Sequence, residues 1–144
     1  MKFEIVSDQV GDASTVKMVR SVMIKGIESL TIECLLAAVK AGIDDRILDS
    51  LEKTFPGMDW ARRASYMLER VTLHGERRAA EMREVTATMD DLGIGGTMAA
   101  ATAARQQWVA DLAPATRFPD GIPEDYRVLA ETILALHGEK NTPS

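Results

Sequence analysis

The chain has 144 residues, 46% of them hydrophobic and 5% aromatic, and a formal net charge of -5. That is enough for one domain with its own core. The acidic balance, without any basic block, disfavours a nucleic-acid partner, and no apolar run approaches the roughly 20 residues that cross a bilayer.

In chain order, Met1-Lys2-Phe3-Glu4 lacks the apolar core of a signal peptide. Phe3-Glu4-Ile5-Val6 is the only strand-like stretch. Val10-Gly11-Asp12-Ala13-Ser14 reads as a turn and a helix start, with Asp12 or Ser14 as the expected cap. Residues 13–41 contain no proline, and Gly42 ends them, so they predict one long helix. One apolar stripe on it runs Val16, Val19, Met23, Ile27, Leu30, Cys34, Ala37, Ala41; a second runs Met18, Val22, Ile32, Leu36, Val39. A helix apolar on two sides is usually buried between neighbours, which makes this one the expected spine. Cys34, the single cysteine, falls on the first stripe as an inert core thiol. A lone thiol fits a reducing, cytoplasmic setting.

Residues 44–54 suit a second helix, ended by Pro56-Gly57. Asp59 is the expected cap of a third, from Trp60 to about Thr72, and residues 73–92 make a fourth. Residues 98–112 make a fifth, and 114–123 a loop. Residues 124–136 make the last helix, stopped by Gly138 and followed by a polar, frayed tail at 139–144. The expected class is all-α: a multi-helix domain over 13–138, built around one long central helix. Gly93-Ile94-Gly95-Gly96 follows a helix and not a strand, so it reads as a helix stop rather than a phosphate cradle. His74 and His137 lie far apart with no ligand cluster around either, so no metal site is expected.

Two polar constellations stand out. On the long helix Lys17, Ser21 and Glu28 fall on one side, with Arg20 and Thr31 at its edges. This is either a solvated face or a cleft with a lysine placed to move protons. A lysine close to other cations and partly desolvated can act as a base near neutral pH. On the fourth helix His74, Arg77, Arg78 and Glu81 share a face that continues as Val85, Met89 and Leu92. Arginines grouped with a histidine can hold a carboxylate or phosphate in bidentate fashion, or they can pair internally with Glu81.

Gly11-Asp12-Ala13-Ser14-Thr15-Val16-Lys17-Met18 resembles the glycine-led segment that carries the catalytic lysine of β-hydroxyacid dehydrogenases, in the 6-phosphogluconate dehydrogenase superfamily. His74-Gly75-Glu76-Arg77-Arg78-Ala79-Ala80-Glu81-Met82, with Asp59-Trp60 and Arg70 before it, resembles a subgroup signature. The C-terminal domain of that subgroup is one of unknown function attached to phosphogluconate-dehydrogenase-like proteins. The resemblance runs from about Val10 to Met98. It implies the helical substrate and dimerisation domain of an NAD- or NADP-dependent oxidoreductase acting on a small hydroxy acid. Residues 1–12 would then be the remnant of the last Rossmann strand and its turn, and the chain is too short to hold a Rossmann domain itself. Lys17 would accept the substrate hydroxyl proton, and Ser21 would orient the substrate. His74, Arg77, Arg78 and Glu81 would line its binding site, and Ser14 would touch the cofactor. A homodimer is implied.

The family pattern has an asparagine where this chain has Ser21, and the 6-phosphogluconate enzymes an acidic residue where it has Ile24. That narrows the substrate away from 6-phosphogluconate. Glu81 stands at the aspartate of the wider superfamily's lysine–aspartate pair, and Ala80 at its lysine. A non-enzymatic helical module for dimerisation or ligand binding is the competing expectation.

Overall fold

The computed structural model of the protein describes residues 10–142. They form helices α1 (Val10–Ala41), α2 (Asp44–Thr54), α3 (Trp60–Asp91), α4 (Thr97–Leu112) and α5 (Tyr126–Lys140), with a short 3-10 turn at Pro114–Arg117. No strand occurs among the described residues, and the all-α class holds. The strand-like stretch Phe3–Val6 lies outside them.

Helix α1 has 32 residues, a length of about 48 Å. It is already helical at Val10, so Asp12 and Ser14 sit inside it and not at its cap. It ends as expected at Gly42, whose φ of 72° needs no Cβ.

Asp59 does not cap α3. It adopts a left-handed φ of 53° and makes no side-chain cap bond. Glu52 of α2 serves instead: its Oε2 accepts from the Gly57 N–H at 2.6 Å and its Oε1 from the Trp60 N–H at 3.4 Å. The carboxylate that satisfies this helix start therefore comes from a neighbouring element, where local sequence cannot show it.

The expected third and fourth helices follow each other directly within α3, 32 residues in which two helical segments meet at a kink at His74 (φ -131°, ψ 15°), two residues past Thr72. The bend sits where α3 crosses α4 closely. A Cβ added to Gly75 would lie 3.1 Å from the Gln106 carbonyl oxygen and 3.4 Å from Ala110 Cβ. The α3–α4 turn is as tight: a Cβ on Gly96 would fall 2.8 Å from the Thr86 carbonyl oxygen. The Gly96 N–H donates to Asp90 Oδ1 at 2.9 Å.

The last helix begins at Tyr126 and not at Glu124, and Asp125 caps it by accepting from the Arg127 N–H at 2.9 Å. Gly138 does not stop α5, which continues to Lys140. A single interior glycine costs only about 1 kcal/mol, less than the packing of the turns on either side returns.

The core has two parts. The larger gathers Ile32, Leu35 and Leu36 of α1, Leu68 and Val71 of α3, Val109 of α4, and Leu129 and Ile133 of α5. The smaller joins Met82, Val85 and Met89 of α3 to Ala99 and Ala103 of α4, with Met18 and Val22 against it. On each of α1, α3 and α4 a buried polar residue falls between the two in sequence: Glu28, Arg78 and Gln106.

The two apolar stripes of α1 meet different fates. Ile32 and Leu36 of the second are buried, and Met18, Val22 and Val39 are half-buried. The first stripe points outward: Val16 and Val19 are exposed, Met23 is 62% exposed and Leu30 60% exposed. Cys34 is half-buried rather than a core residue. The C-terminal part of the polar side, Glu28 and Thr31, turns inward, while Lys17 and Arg20 stay exposed. Thr31 tolerates this because its hydroxyl donates to the Ile27 carbonyl at 2.7 Å, and Glu28 because Arg78 meets it.

Candidate functional site

Lys17, Ser21, Ile24 and Glu28 occupy successive turns of one face of α1, at spacings that align on a helix. Lys17 is exposed and Ser21 half-buried. The Ser21 hydroxyl donates to the Lys17 carbonyl at 3.0 Å, which leaves its oxygen lone pairs as acceptors. Ser14, one turn earlier, is exposed.

Following that face toward the C-terminus leads into a cleft of about 490 Å³ between α1 and the start of α3. Ile24, Ile27 and Glu28 form its α1 wall; Met58, Asp59, Arg62, Arg63, Tyr66 and Met67 form the other. The Glu28 carboxylate is spent at its floor. It accepts a hydrogen bond from Arg78 Nη1, and Gln106 Nε2 lies 3.5 Å from the same oxygen. Glu28 and Arg78 side chains are 5% and 10% exposed, and Gln106 is fully buried. The two polar constellations of the sequence thus meet through one residue of each.

The four site residues of α3 do not form a single clamp. Arg78 turns inward to Glu28, while Arg77 lies at the surface, its Nη1 2.9 Å from Glu81 Oε1. His74 sits at the bend, half-buried. Loss of solvent first, then the charges of Arg70, Arg77 and Arg78, hold its pKa below the usual histidine value, so the ring is neutral at neutral pH.

Arg62, Arg63 and Tyr66 escaped the sequence reading. The available signal was an arginine pair in the first turn after Pro56-Gly57, chemically the same as Arg77-Arg78. Periodicity does not say which pair reaches a cleft. The glycine-rich turn at Gly93–Gly96 is no phosphate cradle. Gly93 and Gly95 take φ of 84° and 76° to close the α3–α4 connection, and the Gly96 N–H is already committed to Asp90. The described residues hold no cluster of three or more His, Cys, Asp and Glu side chains suited to a metal, and no helix long and apolar enough to cross a membrane.

Comparison with known proteins places the molecule. A conserved hypothetical protein from Sinorhizobium meliloti 1021, known from its crystal structure, shares 40% identity with a TM-score of 0.75 over 88% of this chain. An uncharacterized 28.5 kDa protein encoded in the 7S RNA 5' region of Methanothermus fervidus is 32% identical over 82 residues, 57% of this chain. The chain spans only 42% of the first protein and 32% of the second. The model of a domain of unknown function, DUF1932, matches residues 38–109, half of the chain. The chain therefore belongs to the DUF1932 family.

Proposed function

We propose that this chain is the C-terminal, substrate-binding domain of a 6-phosphogluconate dehydrogenase-like oxidoreductase, one that oxidises a hydroxy acid with NAD or NADP in a cytoplasmic setting. The observation that carries this reading is the register of Lys17, Ser21 and Ile24 on α1, which leads from an exposed lysine into the cleft. The segment around Lys17 is also the one that resembles the catalytic motif. The relatives are long enough to include a nucleotide-binding domain, since this chain spans less than half of each. In this reading the dinucleotide phosphates are held by that other domain.

This chain's part in the reaction is that of Lys17 and Ser21. Lys17 accepts the proton of the substrate hydroxyl as its carbon becomes a carbonyl, and the Ser21 oxygen orients that hydroxyl or a neighbouring carboxylate. Ser14 borders the cofactor in this reading, and Arg78 holds Glu28 at the cleft; His74, Arg77 and Glu81 do not line that cleft. Hydroxy acids should be screened with both cofactors on a protein in which a Rossmann domain precedes this chain. Lys17→Ala should lower turnover by about 10²–10⁴-fold. Unchanged turnover in that variant rules out the role given to Lys17.

A second reading has one specific observation behind it. The exposed stripe Val16, Val19, Met23 and Leu30 suits a non-enzymatic module whose work is association, and on either reading a homodimer is expected. Concentration-dependent association without oxidation of any hydroxy acid favours this second reading.

A further inference from the structure

The cleft carries cations that the proton-transfer role does not use. Arg62 and Arg63 are both exposed along it, and among the described residues neither has a carboxylate within ion-pair distance. Arg63 is oriented by its Nε, which donates to the Met58 carbonyl at 2.7 Å, and its terminal nitrogens remain available. Two carboxylates also line the cleft. Glu28 is neutralised by Arg78, which leaves Asp59 as the one acidic group facing two guanidinium groups. The rest of the lining is apolar: Ile24, Ile27, Met58 and Met67, with the Tyr66 ring at the rim. The volume, about 490 Å³, lies in the range of small-ligand sites. Ile24 stands seven residues beyond Lys17, about 10 Å along α1.

We propose that the cleft binds the far end of the substrate, with an anionic group forked by Arg62 and Arg63 and an apolar stretch against Ile24, Ile27 and Met67. This rests on the reading of Lys17 as the reacting end. The substrate is then a hydroxy acid whose second anionic terminus is well separated from its hydroxyl, across the cleft that Ile24 lines, and not a small hydroxy acid.

The test is binding to the full chain, followed by amide NMR shifts and calorimetry, with three probes: octanoate, octanedioate and octylammonium. Both acids should bind and shift the signals of Ile24, Ile27 and Met67, and octylammonium should not. Replacing both exposed arginines (R62Q/R63Q) should weaken octanedioate by about tenfold or more at unchanged Tm. Octylammonium binding as tightly as octanoate overturns the proposal without recourse to any variant. Retained octanedioate affinity in R62Q/R63Q overturns it as well. The two readings fail separately. Absent acid binding together with turnover lost in Lys17→Ala removes the cleft and leaves Lys17. Arginine-dependent binding together with full turnover in Lys17→Ala removes the role of Lys17 and leaves the cleft an anion site.

Discussion

Replacing Glu28 by glutamine should be among the most damaging single changes in this protein. The side chain keeps its size, so no cavity opens; only the charge is lost. Arg78, 10% exposed, is then a buried cation without its partner, and Gln106 faces a neutral amide. Unit charges about 4 Å apart at an effective dielectric constant of about 20 attract by about 4 kcal/mol, an amount comparable to the cost of burying them. The intact pair is therefore close to balance, but breaking it exposes the whole penalty. A loss of about 3–5 kcal/mol is expected, a large share of the roughly 5–15 kcal/mol that holds a domain together. Urea unfolding followed by far-UV circular dichroism gives the number, for Glu28→Gln, for Arg78→Met and for the double variant Glu28→Leu/Arg78→Met. The double variant removes both charges and should return to within about 1 kcal/mol of the parent, or exceed it. A Glu28→Gln cost below about 1 kcal/mol, or a double variant as poor as the sum of the singles, would refute the claim that the pair is buried and coupled.

Gly75→Ala should destabilise by about 1–3 kcal/mol, because the new Cβ lies 3.1 Å from the Gln106 carbonyl oxygen and α3 must move off α4; an unchanged denaturation midpoint contradicts that crossing. Asp44 accepts from the Tyr126 hydroxyl at 2.6 Å and from Arg127 Nε at 2.7 Å, and the Tyr126 bond first, then Arg127, holds its pKa below 3.8. That stability is present above the ordinary carboxylate pKa and is lost as pH falls through the lowered value. Burial first, then Asp44, raises the Tyr126 pKa above 10.0, so its contribution is lost as pH rises past the ordinary tyrosine value. Tyr126→Phe should accordingly flatten both limbs of a Tm–pH profile, and two superimposable profiles would exclude the linkage. Met23→Glu and Leu30→Glu should change monomer stability by no more than about 0.5 kcal/mol, since both side chains are exposed, while abolishing self-association in sedimentation experiments. Association that persists in both variants shows that another surface is used.

Much of the helical plan was legible from local signals. Gly42 ends α1 because only a residue without Cβ takes its positive φ comfortably. Pro56-Gly57 separates α2 from α3, and the break expected after Thr72 appears as the bend at His74. These are properties of a few neighbouring residues, which is why a one-dimensional reading reaches them. What it could not reach depends on residues far apart in the chain. Glu52 and not Asp59 satisfies the start of α3, because an element outside the helix leans over it.

The same limit governs the site. The sequence determined that α1 is helical, that it is apolar on two sides and polar on a third, and that Lys17, Ser21 and Glu28 share the polar one. It did not determine which side meets α3 and α4, since a periodic pattern shows what a face is made of and not what stands opposite it. Only the packing decided that Met23 and Leu30 face outward while Glu28 turns in to Arg78, fifty residues away. By the same packing, Arg62 and Arg63 line the cleft to which the face of Lys17 leads, and Arg77 does not.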